Sequence, residues 1–218
     1  VLKKGLFWYY FEDSHIDPFV HEDNKPPCSQ IYNSNRKNLL FDVSYFGCRI
    51  NLEVYHALTD GTGAMNFLKM LTSEYLACRY KLGASAVIDY DASEAQKRDD
   101  SFSKYYYKPK PYKLKKAAVA YRVHEEKLPA GSLGIIEGRV SVKRLLEISR
   151  SWGVTVTAFL CAVLFRSIGD GLSVREYSKP VVITVPVNLR KYFPSESARN
   201  FFGVVDVPYN FSGQSGEL

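Results

Sequence analysis

The sequence predicts an α/β chain of the α+β kind, built as two lobes with the second lobe incomplete. Three observations lead there. Two alternating apolar runs feed a helical pattern near residue 60, a polar and proline-bearing stretch interrupts the apolar pattern from about 83 to 134, and two apolar helices followed by two strand patterns close the chain. Strands that run into a helix, followed after a break by helices that run into strands, point to two α/β lobes.

Each element has a local cause. Leu6–Phe11 (LFWYYF) is a run of aromatic residues that favours extended backbone, and it is followed by a polar loop reaching Pro26 and Pro27. Leu39–Tyr45 and Arg49–Tyr55 alternate with period two, and Phe46-Gly47-Cys48 between them reads as a hairpin connection. From Ala64 to Leu82, the residues Phe67, Leu68, Leu71, Tyr75, Leu76 and Cys78 recur at helical spacing. The segment 83–134 reads as a linker that carries DASEAQKRDDSFSK and then YYYKPKPYKLKKAAVAYRV, in which Ala117–Val123 could return as a strand. Beyond it, Ser141 is placed to cap the helix VKRLLEISRSW, Gly153 to end it, and Thr155 to cap VTAFLCAVLFRSI. PVVITVPVN reads as a buried strand and VVDVPYNF as another. The domain division expected is therefore 1–134 for the first lobe with its linker and 135–218 for the start of the second.

Composition sets outer limits. The 218 residues are 46% hydrophobic and 24% charged, close to globular averages, and no apolar run approaches the ~20 residues a spanning helix needs. No membrane span is expected. Four cysteines, Cys28, Cys48, Cys78 and Cys161, form no CxxC pair, and three lie in apolar patterns where a thiol packs as a small hydrophobe, so reduced thiols and a cytoplasmic setting are expected. Net charge +6 suits an anionic partner without identifying one. The opening VLKKGLFWYYF has neither an initiator Met nor a signal peptide's apolar core, which reads as a segment of a longer chain.

The richest chemistry lies in LEVYHALTDGTG, residues 52–63. Extending the alternation puts Ile50, Leu52, Val54 and His56 on one apolar face, where partial desolvation would keep the imidazole neutral and available as a base. Asp60 falls at the start of the following helix, where backbone N–H groups and the helix dipole favour a carboxylate. Gly61 and Gly63 permit a sharp turn and leave room beside the ring. Other readings of the same residues stand beside this one: a core histidine with its hydrogen bonds satisfied, an ordinary Asp-Gly turn, or a His-Asp metal pair. No further His or Cys lies close in sequence to complete a ligand set, so no metal is expected, and no G-x-S-x-G elbow supports a serine triad.

The HxxxDG spacing after a strand resembles the motif of the acyltransferase superfamily with the chloramphenicol-acetyltransferase-like fold, which includes peptide-synthetase condensation domains and bacterial alcohol acetyltransferase-like proteins. YHALTDGTGAMNFLKMLTSEYL is similar to that family's motif and following helix, WGVTVTAFLCAVLF to a later helix, and VPVNLRKYFPSESARNFFG to the alcohol acetyltransferase-like branch. The resemblance spans most of the chain outside the linker. It implies a mixed-sheet two-lobe fold using acyl-CoA as a co-substrate, with no covalently bound cofactor, and His56, Asp60 and Gly61 as the catalytic motif. In that role His56 would be the general base, taking a proton from a hydroxyl or amine acceptor as it attacks a thioester of CoA or of a carrier protein. Asp60 would be structural, gripped by an arginine through two parallel hydrogen bonds, with Arg190 in PVNLR the candidate; read from the residues alone, Arg190 is equally a surface charge at a strand end. Asn200, in RNFFG, would line the channel, or would simply belong to a turn. Tyr55 stands where condensation domains carry a first histidine, no DFGWG-type signature is present, and Leu218 falls where the family would continue into a C-terminal half of the same chain.

Two further readings belong to other classes. Lys104–Lys116, KYYYKPKPYKLKK, interleaves tyrosines with lysines as single-strand nucleic-acid surfaces do, but it is short and proline-broken, which suits a linker better, so nucleic acid is not the expected partner. A non-catalytic acyltransferase-like protein is the other alternative.

Overall fold

The computed structural model describes residues 1–33, 37–83, 92–108, 118–124, 126–129 and 132–212. Among the described residues it is an α+β chain of five α-helices and small separate sheets. Two compact units partition it, one of Val1–Lys108 with Asn188–Gly203, the other of Pro109–Val187 with Val204–Leu218. The expected cut at 134/135 does not coincide with this division. A single cut cannot describe a chain whose segment 188–203 returns to its first unit.

The first unit opens with the strands β1 (Leu2–Lys4) and β2 (Tyr9–Phe11), which pair antiparallel with Leu2 opposite Phe11. The strand expected over Leu6–Phe11 is therefore corrected to Tyr9–Phe11. Its first residues form the reversal, closed by the Gly5 N–H on the Trp8 carbonyl at 2.7 Å. β3 (Val20–Glu22) runs parallel to β4 (Phe41–Phe46), which pairs antiparallel with β5 (Arg49–Val54). The β4–β5 reversal contains only Gly47 and Cys48, and Gly47 takes the left-handed φ of 57° that the first central residue of such a tight turn requires. His21 of β3 bridges to β4, its Nε2 donating to Asp42 Oδ2 at 2.9 Å while Nδ1 meets the Glu22 carbonyl at 2.8 Å. Both ring nitrogens face acceptors, and the imidazolium satisfies both.

Helix α1 (Gly61–Tyr80) follows β5. Two short helices, α2 (Glu94–Arg98) with a Ser93–Gln96 capping box and α3 (Ser101–Tyr105), lie against the returning segment. The Ser197 hydroxyl donates to the Asp99 carbonyl at 2.6 Å, and the Ala198 N–H to the Lys97 carbonyl at 2.9 Å. Here sits the best-buried aromatic among the described residues, Phe201, 2% exposed, with the Phe102 and Tyr105 rings 5.2 and 6.0 Å away.

In the second unit, α4 (Val142–Ser151) and α5 (Val156–Asp170) carry the expected caps, Ser141 accepting from the Arg144 N–H and Thr155 from the Ala158 N–H, and Gly153 between them has φ 67°. β6 (Val181–Asn188) and β7 (Phe202–Tyr209) make a two-stranded sheet. Phe165 and Val181 are the buried hydrophobic side chains among the described residues of this unit. Residues 118–123 are not a strand, although the Tyr121 N–H does bond the Pro180 carbonyl at 2.8 Å; Ala117 and most of the basic stretch, 109–116, lie outside the described residues. No single helix among the described residues is long and apolar enough to cross a membrane.

The cysteines depart from expectation. All four are free, but Cys28, Cys48 and Cys78 are exposed and Cys161 is half-buried. Cys48 occupies a hairpin turn and Cys28 a left-handed backbone position, so neither reaches a core.

Candidate functional site

Asp60 is the centre of the site because its carboxylate ends one element and fastens another. As N-cap of α1 it accepts on Oδ1 from the Thr62 and Gly63 N–H groups, both at 3.1 Å. Its Oδ2 accepts from Arg190 Nη1 at 2.7 Å and from the Phe201 N–H at 2.8 Å. Four donors thus converge on one carboxylate that is only 7% exposed. Burial alone would push this carboxyl up, but the Phe201 N–H, the Arg190 guanidinium and the Gly63 N–H together outweigh it and hold Asp60 below the usual carboxylate value.

Arg190 sits in a one-turn 3-10 helix, Leu189–Lys191, that follows β6. It does not grip Asp60 with two parallel bonds, as expected, because Oδ1 is already used by the helix cap. Nη2 donates instead to the Ser197 and Arg199 carbonyls at 2.9 and 2.6 Å, and Nε to Ser197 at 3.3 Å. The guanidinium therefore clamps the 197–199 backbone and the α1 cap at once. Asn188 adds a parallel brace, its Nδ2 donating to Thr62 Oγ1 at 3.1 Å and its Oδ1 accepting the Arg190 N–H at 3.0 Å.

The same returning segment supports the loop that carries His56. Thr59 donates its hydroxyl proton to the Ala198 carbonyl. Asn200, expected to line a channel, instead points its amide at the loop, with Nδ2 donating to the His56 carbonyl at 2.9 Å and to the Ala57 carbonyl at 3.2 Å. Gly63 explains the closeness. A Cβ there would fall 2.0 Å from Thr59 Oγ1 and 2.5 Å from the Ala198 carbonyl oxygen, so a side chain would push the loop and the segment apart. Gly61, by contrast, has open space about it and serves as the first residue of α1. The tight position in the motif is the second glycine, and the backbone of 198 crowds it rather than the imidazole.

His56 is not on the buried face of β5. The strand ends at Val54, and the chain turns through 55–58, closed by the Leu58 N–H on the Tyr55 carbonyl at 2.8 Å. That turn carries the ring out of the alternation and leaves it exposed, with its centroid 5.7 Å from the Phe202 ring. The expected partial burial is corrected accordingly. Among the described residues no side chain hydrogen-bonds either ring nitrogen, so both are open to an incoming group.

His56, Asp60, Gly61, Arg190 and Asn200 thus all belong to one unit, and the structure brings Asp60 and Arg190 into contact and Asn200 against the His56 backbone. Sequence reasoning missed Thr59, Asn188, Ser197 and the Phe201 N–H. Only Asn188 carried a local signal, as a side-chain acceptor opening a short helical turn; the Ser197 carbonyl and the Phe201 N–H are backbone groups that residue type does not reveal, and the Thr59 hydroxyl meets a backbone carbonyl 139 positions away. Among the described residues no three His, Cys, Asp or Glu side chains converge as metal ligands would. Comparison with protein-family models, with curated proteins and with solved structures gave no match.

Proposed function

We propose that this chain belongs to a two-lobe, chloramphenicol-acetyltransferase-like acyltransferase that moves an acyl group from a CoA or carrier-protein thioester to a hydroxyl or amine of a small acceptor, with His56 as general base. The observation that supports it best is the division of labour within the HxxxDG loop. Its carboxylate is spent on four structural hydrogen bonds, while its imidazole stands exposed, with ring nitrogens unbonded among the described residues, on a loop braced by Asn200 and Thr59. A held loop with an open base is what proton abstraction needs.

In this mechanism an acceptor O–H or N–H meets a His56 ring nitrogen, which takes the proton as the oxygen or nitrogen bonds to the thioester carbonyl carbon. The tetrahedral adduct collapses, the carbon–sulfur bond breaks, and the leaving thiolate recovers the proton from the imidazolium. No acyl-enzyme forms, and acyl-CoA is a co-substrate rather than a bound cofactor. Asp60, ionised and turned onto Arg190, moves no proton; it fixes the backbone from which His56 projects. A cytoplasmic setting, where CoA thioesters are found, belongs to the same reading.

The test is His56→Ala in the intact protein, with thiol release from acetyl-CoA followed against a panel of alcohols and amines. Loss of a general base lowers turnover by about 10²–10⁴-fold. A variant that retains wild-type turnover would remove His56 from the chemistry.

A further inference from the structure

Beside the His56 loop, wholly within the first unit, lies a cavity of about 560 Å³, a size at which small-molecule pockets are common. Its walls are apolar: Phe41 and Phe67 meet edge to face with centroids 5.5 Å apart, and Val54, Leu58 and Ala64 extend the surface. Its charged lining is one-sided, three cations (Lys97, Arg98 and Arg199) against the single acid Asp13. The Arg98–Asp13 pair is long, 3.6 Å, and both partners are well exposed, so it holds neither charge firmly. Arg199 has no carboxylate within 4.0 Å among the described residues, and its charge acts only at longer range on the exposed Asp100. The His56 side chain is not part of this wall, so the cavity is distinct from the position where acyl transfer is proposed.

We propose that this cavity binds a small monocarboxylate with an apolar tail, the tail against Phe41, Phe67 and Val54 and the carboxylate at Arg98 and Arg199. The chemistry follows from the lining. Apolar walls favour a chain or ring over a sugar or a nucleotide, and two under-used guanidiniums select an anion over an alcohol or an amine. Thr59 and Gly63 contribute to the wall, so an occupant touches both sides of Asp60, the loop before it and the helix it caps. The proposal stands whether or not His56 transfers acyl groups.

The probes are octanoate, 1-octanol and octylammonium, which share a tail and differ in charge. Each is titrated below its aggregation concentration into the isotopically labelled protein, and backbone amide shifts are followed by NMR. Saturable shifts centred on Gly63, Ala64 and Phe67 are expected, with octanoate binding about tenfold more tightly than octanol, the factor that one charge-assisted contact of ~1.4 kcal/mol confers, and octylammonium most weakly. Arg98→Gln with Arg199→Gln, both at the surface, should erase the advantage of octanoate and leave octanol binding in place. Ala64→Phe, checked for folding by circular dichroism, should abolish binding of all three. Absence of saturable shifts with every probe, equal affinity for octanoate and octanol, or an octanoate advantage that survives loss of both arginines would each overturn the proposal.

Discussion

Removing the Asp60 carboxylate should be among the most damaging single changes available to this chain. Asp60→Ala leaves the Arg190 guanidinium, whose side chain is 11% exposed, without its counter-charge, and breaking a buried pair from one side costs about 3–5 kcal/mol. The α1 cap and the Phe201 N–H lose their acceptor at the same time, at about 1 kcal/mol for such a cap. These losses overlap, because one carboxylate serves them all, so a total near 4 kcal/mol is expected. With a urea dependence of about 2 kcal/mol per molar, the unfolding midpoint should fall by roughly 2 M. Asp60→Asn should fall less, since an amide oxygen can still cap α1. A double-mutant cycle with Arg190→Ala isolates the pair, and contacting residues should couple by about 0.5–3 kcal/mol. The pH dependence has a fixed sign: with its native value lowered, Asp60 contributes stability that is present above the unfolded carboxylate value and lost as pH falls through the native one. The gap between wild type and Asp60→Asn should therefore close in acid. A midpoint shift under about 0.5 M for Asp60→Ala, or a cycle additive within ~0.3 kcal/mol, would refute the reasoning.

Two further outcomes are expected. Gly63→Ala should destabilise by about 1–3 kcal/mol, because its methyl meets the Ala198 backbone carbonyl, which cannot rotate away; calorimetry should show a melting temperature lower by at least about 2 °C, and an unchanged one would show that the segment yields freely. His21, whose ring is held by the Glu22 carbonyl and the Asp42 carboxylate against the opposing charge of Lys25, should titrate above the usual imidazole value; the stability it contributes is present below the unfolded value and is lost as pH rises through the native one. Ring-proton NMR reads the first statement, and His21→Gln should flatten the corresponding slope in a stability profile; titration at or below the ordinary value would contradict both.

Elements whose ends are set by a side chain's own chemistry were legible from sequence. Ser141 and Thr155 cap α4 and α5 because a hydroxyl one residue outside a helix accepts an N–H within it, and that signal is local. The end of β5 was not, because the period-two pattern runs on through His56 with nothing in the residue types to mark where the backbone turns. Leu6–Trp8 misled for a related reason, since aromatic residues favour extended backbone on average and give no notice when a reversal is built from them. At the site, the Asp60–Arg190 contact was expected from the family resemblance, because charge alone does not single out Arg190 among 29 Lys and Arg residues. The clamp on the 197–199 carbonyls was not, because carbonyls look alike at every position of a sequence.

The contacts that build the site join distant parts of the chain, Asp60 to Arg190 across 130 positions and to the Phe201 N–H across 141. Closing a loop of that length costs roughly 4 kcal/mol in chain entropy, about what the buried pair can return, so the pair cannot form as an isolated event. It has to wait until the surrounding structure has already brought residue 190 near residue 60. During synthesis at about 5–20 residues per second, helix α1 leaves the ribosome several seconds before Arg190 exists, with half of its capping carboxylate unclaimed. The HxxxDG loop is therefore a late product of folding, and a nascent or truncated chain that stops short of residue 188 carries the motif intact in sequence and unmade in space.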